Sequence, residues 1–157
     1  MSNSHEESFT EDLKAHFKDK ILEIKAPMKR RLFIKVTPES YRDVIKFLVK
    51  EKQVLHVSTM TGIDLGEKIE VMPHFFGLGM EISIQVDIQK EKPEIPSITS
   101  LVPGVVLYER EIHDLLGVNF IGHPDLSRLI LPDDWPEGVY PLRKDYQVQP
   151  PKRLREV

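Results

Sequence analysis

No cysteine occurs among the 157 residues of this chain. That absence excludes disulfides, thiolate-ligated zinc, ordinary iron–sulfur clusters and a cysteine nucleophile. Any redox role must be carried by something the chain binds. Long apolar runs are also missing. No stretch approaches the roughly 18–20 apolar residues that cross a bilayer. Basic excess is lacking as well: the net charge is −3, so the chain as a whole carries no nucleic-acid footprint. The Gly-Lys-Ser/Thr of a phosphate loop and the Gly-x-Ser-x-Gly of a nucleophile elbow do not occur. Gly77-Leu78-Gly79 is too short for a phosphate fingerprint. There is no internal repeat and no low-complexity tract. The polar, acidic start, Met1 to Glu7, does not read as a secretory signal, so a cytoplasmic protein is expected.

What is present fits one domain with a real core: 40% apolar and 30% charged residues. Ser8 with Glu11 suggests a capping box opening a helix over 8–20, with Leu13 and Phe17 on one face. Strands are expected at 21–26 and 31–36, around a turn at Pro27. A stronger helix is expected over 38–52, with Thr37 as its cap and Pro38 in its first turn. In it Tyr41, Val44, Ile45, Leu48 and Val49 form an amphipathic stripe that reads as core. Three strands follow, near 54–64, 68–76 and 80–88, with turns at 65–67 and 77–79. In the last, Ile82, Ile84, Val86 and Ile88 alternate with Glu81, Ser83, Gln85 and Asp87, which implies one buried face and one wet face. The expected class is α+β: an antiparallel sheet of four or five strands with helices on one face.

After Lys90 the character changes, and nine of the twelve prolines lie from Pro93 onward. One helix fits, at about 105–116, closed by Gly117. From 121 to the end, prolines forbid long regular elements, yet Leu126, Leu129, Ile130, Leu131, Trp135, Tyr140, Leu142 and Tyr146 recur as apolar anchors. These favour an arm laid on a surface over disorder. The chain therefore divides into an α+β unit, 1–120, and an extended arm, 121–157. The last 18 residues carry five Lys/Arg (Arg143, Lys144, Lys152, Arg153, Arg155) against Asp145 and Glu156. They suit either a solvated tail or a docking arm for an acidic partner surface.

Charged residues crowd the last proposed helix: Glu109, Arg110, Glu111, His113 and Asp114. Three readings are open. One is a charged outer face laced by weak pairs, each worth a few tenths of a kcal/mol. Another is a polar knot gripping a neighbouring element or subunit. The third is a metal-dependent or acid/base site that uses Glu111, His113, Asp114, His123 and Asp125. Gly122-His123-Pro124-Asp125 is good turn chemistry, and a lone strand histidine such as His56 or His74 is more often packed than ligating. Trp135 reads as an interface anchor or as a cover for its own core.

Three ordered blocks carry a resemblance. They are Glu109-Arg110-Glu111-x-x-Asp114-Leu115-Leu116-Gly117, then Gly122-His123-Pro124-Asp125-Leu126-x-Arg128, then Pro141-Leu142-Arg143-Lys144-Asp145. Together they closely resemble the signature of the C-subunit family of respiratory complex I, the 30-kDa subunit. The run Pro103–Tyr108 also fits. The resemblance spans roughly 70–157; the N-terminal half matches only in layout. Ser127 departs from it, since the family usually has a basic residue or proline there.

The resemblance implies a non-catalytic subunit in the peripheral, cytoplasm-facing arm of a membrane-bound, ion-translocating oxidoreductase. It implies no cofactor in this chain, with Fe–S clusters and possibly Ni–Fe in partner subunits. Those partners would be a large hydrogenase-like or 49-kDa-type subunit, on which the arm 121–157 docks, and a small Fe–S subunit, and membrane contact would come only through them. The family also occurs in energy-converting membrane-bound [NiFe]-hydrogenases. The short chain, and a Lys/Glu/Ile-rich composition that suits a thermophile, tilt the expectation toward that type over an NADH/quinone or sulfur-reducing relative. In this frame Glu109, Arg110, Glu111 and Asp114 orient the helix end, and Gly122 to Leu126 with Arg128 fix the turn into the arm. Trp135, Arg143, Lys144 and Asp145 face the partner.

Overall fold

The computed structural model describes residues 2–148, and its elements alternate as the hydrophobic periodicity dictates. Helix α1 (Ser2–Phe17) leads through a 3-10 turn into β1 (Ile21–Met28) and β2 (Arg31–Val36). Helix α2 (Tyr41–Lys50) connects to the meander β3 (His56–Asp64), β4 (Lys68–Gly77) and β5 (Met80–Gln89). Short β6 (Glu94–Pro96), helix α3 (Val106–Leu116) and short β7 (Asn119–Ile121) follow. Two local expectations are corrected. α1 begins before Ser8, so the Ser8–Glu11 pair lies inside the helix and caps nothing. α2 starts at Tyr41, so Thr37 is not its cap; the Thr37 carbonyl accepts the Ser40 and Tyr41 N–H groups, and its hydroxyl bonds Ser40 Oγ (3.1 Å) in the preceding turn.

The sheet order is β1-β2-β5-β4-β3, and the class is α+β as expected. Three of its pairings are antiparallel, but β2 and β5 run parallel, so the sheet is mixed where an antiparallel one was expected. Alternation within a strand shows which residues are buried, not which strand lies alongside. Here the α2 crossover carries the chain from β2 to the far edge, and the meander returns β5 to the middle. A second sheet, the parallel pair β6–β7, has strands too short to signal themselves by period.

Cross-strand partners share a face: Val36 with Val86, Val86 with Val71, and Val71 with Gly62. That face joins the α2 stripe, the Phe9–Leu13–Phe17 face of α1, and Ile112 and Leu116 of α3 in one core. Burying each such side chain stabilises the fold by roughly 2 kcal/mol before entropy is counted. Gly62 permits the α3 contact, because a Cβ there would press on Leu116 and Ile112. On the opposite face His74 sits between Thr61 Oγ1 (3.0 Å) and Ser83 Oγ (2.8 Å), a satisfied histidine.

Gly117 ends α3 in the left-handed region (φ 76°), its N–H bonded to the His113 carbonyl, as the sequence predicts. The ring of Tyr140 lies where a Cβ would project. Gly117→Ala is therefore expected to cost about 1–2 kcal/mol from the backbone conformation alone. A lower urea midpoint, with Tyr140 fluorescence changed, would be the signature.

A buried carboxylate clasp as candidate partner interface

The charged residues of α3 divide by depth. Glu109 is fully buried, accepting from Ser97 Oγ (2.7 Å) and the Ile98 N–H (2.8 Å), and so ties α3 to the segment after β6. Burial raises its pKa; the two hydrogen bonds oppose that only in part. Arg110 faces the arm. Its guanidinium donates to the Ser127 carbonyl (2.6 Å), Ser127 Oγ (2.7 Å) and the Arg128 carbonyl (2.6 Å), with Asp125 3.8 Å away. The residue that departs from the family pattern, Ser127, thus supplies two acceptors to the motif arginine.

Asp114 holds the arm most firmly. One buried carboxylate oxygen accepts the N–H groups of Leu129 (3.1 Å), Ile130 (2.8 Å) and Leu131 (2.8 Å). The other lies 3.7 Å from Arg128. Burial alone would raise this carboxyl, but three backbone donors and the Arg128 charge hold it below the usual range. Arg128 also donates to the Trp135 carbonyl (2.6 Å), and Trp135 Nε1 donates to the Val139 carbonyl (2.8 Å). The turn into the arm works similarly. Gly122 has positive φ (88°), His123 Nε2 meets the Val106 carbonyl (2.9 Å), and its Nδ1 accepts from the Asp125 N–H (3.0 Å). Asp125 in turn accepts the Ser127 N–H (2.8 Å). Pro124 stands between those side chains, and half-buried Leu126 packs on the core.

The third block closes the clasp. Arg143 Nε donates to the Leu116 carbonyl (2.8 Å) while its guanidinium lies 4.4 Å over the Tyr140 ring. Leu142 N–H bonds to the Leu115 carbonyl (3.2 Å). Lys144 donates its backbone N–H to Asp64 Oδ2 (2.8 Å) and leaves its side chain exposed. Asp145 pairs with Lys90 at 3.2 Å. Sequence reasoning missed Asp64, the buried residue that receives Lys144, Lys90 Nζ (2.8 Å) and the Gly66 N–H (2.7 Å). Burial works against its charge, yet these donors hold it at about 2. An Asp two residues before a turn N–H reads as an Asx turn in sequence; its bond across 80 residues does not.

The surface on which 121–148 is laid is the chain's own. Within the chain, the Arg143 guanidinium serves the Leu116 carbonyl and the Tyr140 ring. The basic residues Lys152, Arg153 and Arg155 fall outside the described residues. Among the described residues no three His, Asp or Glu side chains gather to hold a metal. Of the five in the metal-site reading, His113 bonds the Val118 carbonyl, and Asp114 and His123 are engaged with backbone. Only Glu111 has neither a hydrogen bond nor an ion pair among the described residues.

The motif carboxylates thus close a clasp on the backbone of a proline-rich arm. Residues 34–152 match the model of the respiratory-chain NADH dehydrogenase, 30 Kd subunit. The chain belongs to this 30-kDa subunit family. Within it, the chain is 42% identical over 106 residues to the C subunit of the NADH-quinone oxidoreductase of Moorella thermoacetica, covering 64% of this chain and 70% of that one. It is 30% identical over 132 residues to the beta subunit of the membrane-bound hydrogenase of Pyrococcus furiosus, covering 81% and 76%. A chain in the structure of the membrane-bound sulfane sulfur reductase, an archaeal respiratory membrane complex, superposes with TM-score 0.76 at 24% identity, over 96% of this chain and 95% of that one. That last likeness is one of fold. The 30-kDa family thus reaches across complex I-like and hydrogenase-type assemblies, and this member is a subunit of an oxidoreductase complex. Among its described residues no helix is long and apolar enough to cross a membrane.

Proposed function

We propose that the chain is the non-catalytic assembly subunit of the peripheral arm of a membrane-bound, ion-translocating oxidoreductase of the [NiFe]-hydrogenase type. In this reading it holds the large catalytic subunit, while Fe–S clusters and Ni–Fe reside in that subunit and a small Fe–S partner. It carries no cofactor itself and meets the membrane, on the cytoplasmic face, only through its partners. One observation carries the proposal: the acidic and cationic side chains of its family blocks, Glu111 and Lys144 apart, are engaged within the chain, most of them on its own backbone, where Glu109 holds the segment after β6 and Arg110, Asp114, Asp125, Arg128 and Arg143 hold the arm. Similarity to a hydrogenase beta subunit over 81% of the chain supports the hydrogenase type. The higher identity to an NADH-quinone oxidoreductase relative supports the second reading, a quinone-reducing complex.

Tagging the chain in its native host, solubilising membranes gently and assaying the purified material decides between them. Nickel with a hydrogenase-like large subunit is the expected result. Iron without nickel selects the quinone- or sulfur-reducing reading. A lone chain without redox subunits overturns both.

A further inference from the structure

Strand β3 is an edge of the five-stranded sheet: it pairs with β4 on one side and with no strand on the other among the described residues. Near its start the edge is covered, since the Tyr108 hydroxyl reaches the Ser58 carbonyl (3.3 Å) and Gly104 packs by Val57. At its end the arm closes over Asp64. Between these covers, residues 59–63 have no backbone hydrogen bond outside the sheet among the described residues. An edge left with unpaired N–H and C=O groups is a template for another strand unless it is blunted by charge or proline. Residues 59–63 (Thr-Met-Thr-Gly-Ile) have neither.

Beside this open stretch, between β3 and α3, lies a cleft of about 200 Å3 lined by Met60, Thr61, Gly62, Glu111, Leu115 and Leu142. It is smaller than the roughly 300–1,000 Å3 of a small-molecule site, but it has room for one or two side chains. Leu142 is 57% exposed at its rim, and Ile63, next along the strand, is 37% exposed. Glu111 stands at the same place, exposed and without a cation among the described residues. It is the one acidic residue of the family blocks with no intramolecular partner there. A strand edge, a side-chain-sized cleft with aliphatic walls at Met60, Leu115 and Leu142, and a carboxylate unpaired among the described residues coincide here.

We propose that this edge receives an extended segment of a partner subunit, which adds a short strand to β3. The segment places an aliphatic side chain in the cleft and sets a Lys or Arg against Glu111. Main-chain pairing supplies the affinity, and the cleft and carboxylate supply the selection. A second copy of this chain fits less well, because edge-to-edge pairing brings two Glu111 carboxylates to one seam, where like charges oppose each other. The inference rests on the assembly-subunit reading and names one of its contacts.

The test uses the tagged full chain in its native complex, with a benzophenone amino acid at Thr61 and, separately, Glu111→Lys and Glu111→Gln. The expected result is a photo-crosslink from position 61 to one extended partner segment, with apolar residues at alternate positions and a Lys or Arg beside them. Glu111→Lys is expected to lower partner recovery at least tenfold, and Glu111→Gln two- to threefold, each with an unchanged melting temperature of the free chain. A crosslink to a helix, to lipid or to a second copy overturns strand docking, as does full recovery with Glu111→Lys. If even the unsubstituted chain recovers no redox subunits, it is the assembly reading that falls, and the two failures are distinct.

Discussion

Asp114→Ala lowers the stability of the chain by about 3–5 kcal/mol and releases residues 126–148 from the domain. The magnitude follows from what the substitution leaves behind. Three backbone N–H groups, of Leu129, Ile130 and Leu131, lose their acceptor at once. Arg128 loses the carboxylate 3.7 Å from it. Removing one partner of a buried, hydrogen-bonded charge costs far more than the intact interaction contributes, because the remaining groups stay desolvated. In a chain of this size such a loss lowers the melting temperature by on the order of 10 °C. Asp114→Asn keeps an acceptor oxygen but not the charge, and should cost less than half as much. Hydrogen exchange locates the effect: the amides of 129–131 should lose protection first in Asp114→Ala, while those of β4 and β5 keep it. Uniform loss over the sheet, or none in the arm, would contradict the clasp.

The second large effect belongs to Asp64, and it depends on pH. Its carboxyl is held at about 2 against an ordinary 3.8, so the folded state favours the ionised form. A depressed folded pKa contributes stability that is fully present above the unfolded value and is lost as pH falls toward 2. The contribution at neutral pH is roughly 2 kcal/mol. Asp64→Asn should therefore be less stable than the unsubstituted chain by about that amount at neutral pH. The gap should close as pH falls from about 4 to about 2. Denaturant melts of the two proteins across this range measure the difference directly. Glu70 and Glu109 are raised by burial and act in the opposite sense, but they are common to both proteins and cancel in the comparison. The substitution also frees Lys144 N–H and Lys90, so the far end of the arm should lose exchange protection.

Local chemistry was legible from the sequence wherever one element alone decides the outcome. The α2 stripe is buried because five apolar residues recur at helical spacing, whatever they pack against. Gly117 ends α3 because only glycine adopts its φ without strain. The alternation of β5 marks Ile82, Ile84, Val86 and Ile88 as buried, but the face expected to be wet is polar and half-covered, with Ser83 buried. The ordered blocks from Glu109 to Asp145 likewise fix the family without reference to any contact.

Tertiary structure decided everything that needs two distant segments. The parallel pairing of β2 with β5 depends on where the α2 crossover lands, not on either strand's pattern. The β6–β7 pair is three residues long on each side, too short for a period. Glu109, Arg110, Glu111 and Asp114 are neighbours in sequence, yet one is sealed in the core, two grip the arm and one is exposed with no partner among the described residues. The division follows from helix geometry: at about 100° per residue, neighbours in sequence face different surroundings. Asp64 and Lys144 meet only because the sheet edge and the arm converge. The sequence by itself determined the elements, the core stripe and the family; the fold alone decided which charges bind the chain to itself, because those pairs join segments far apart in sequence.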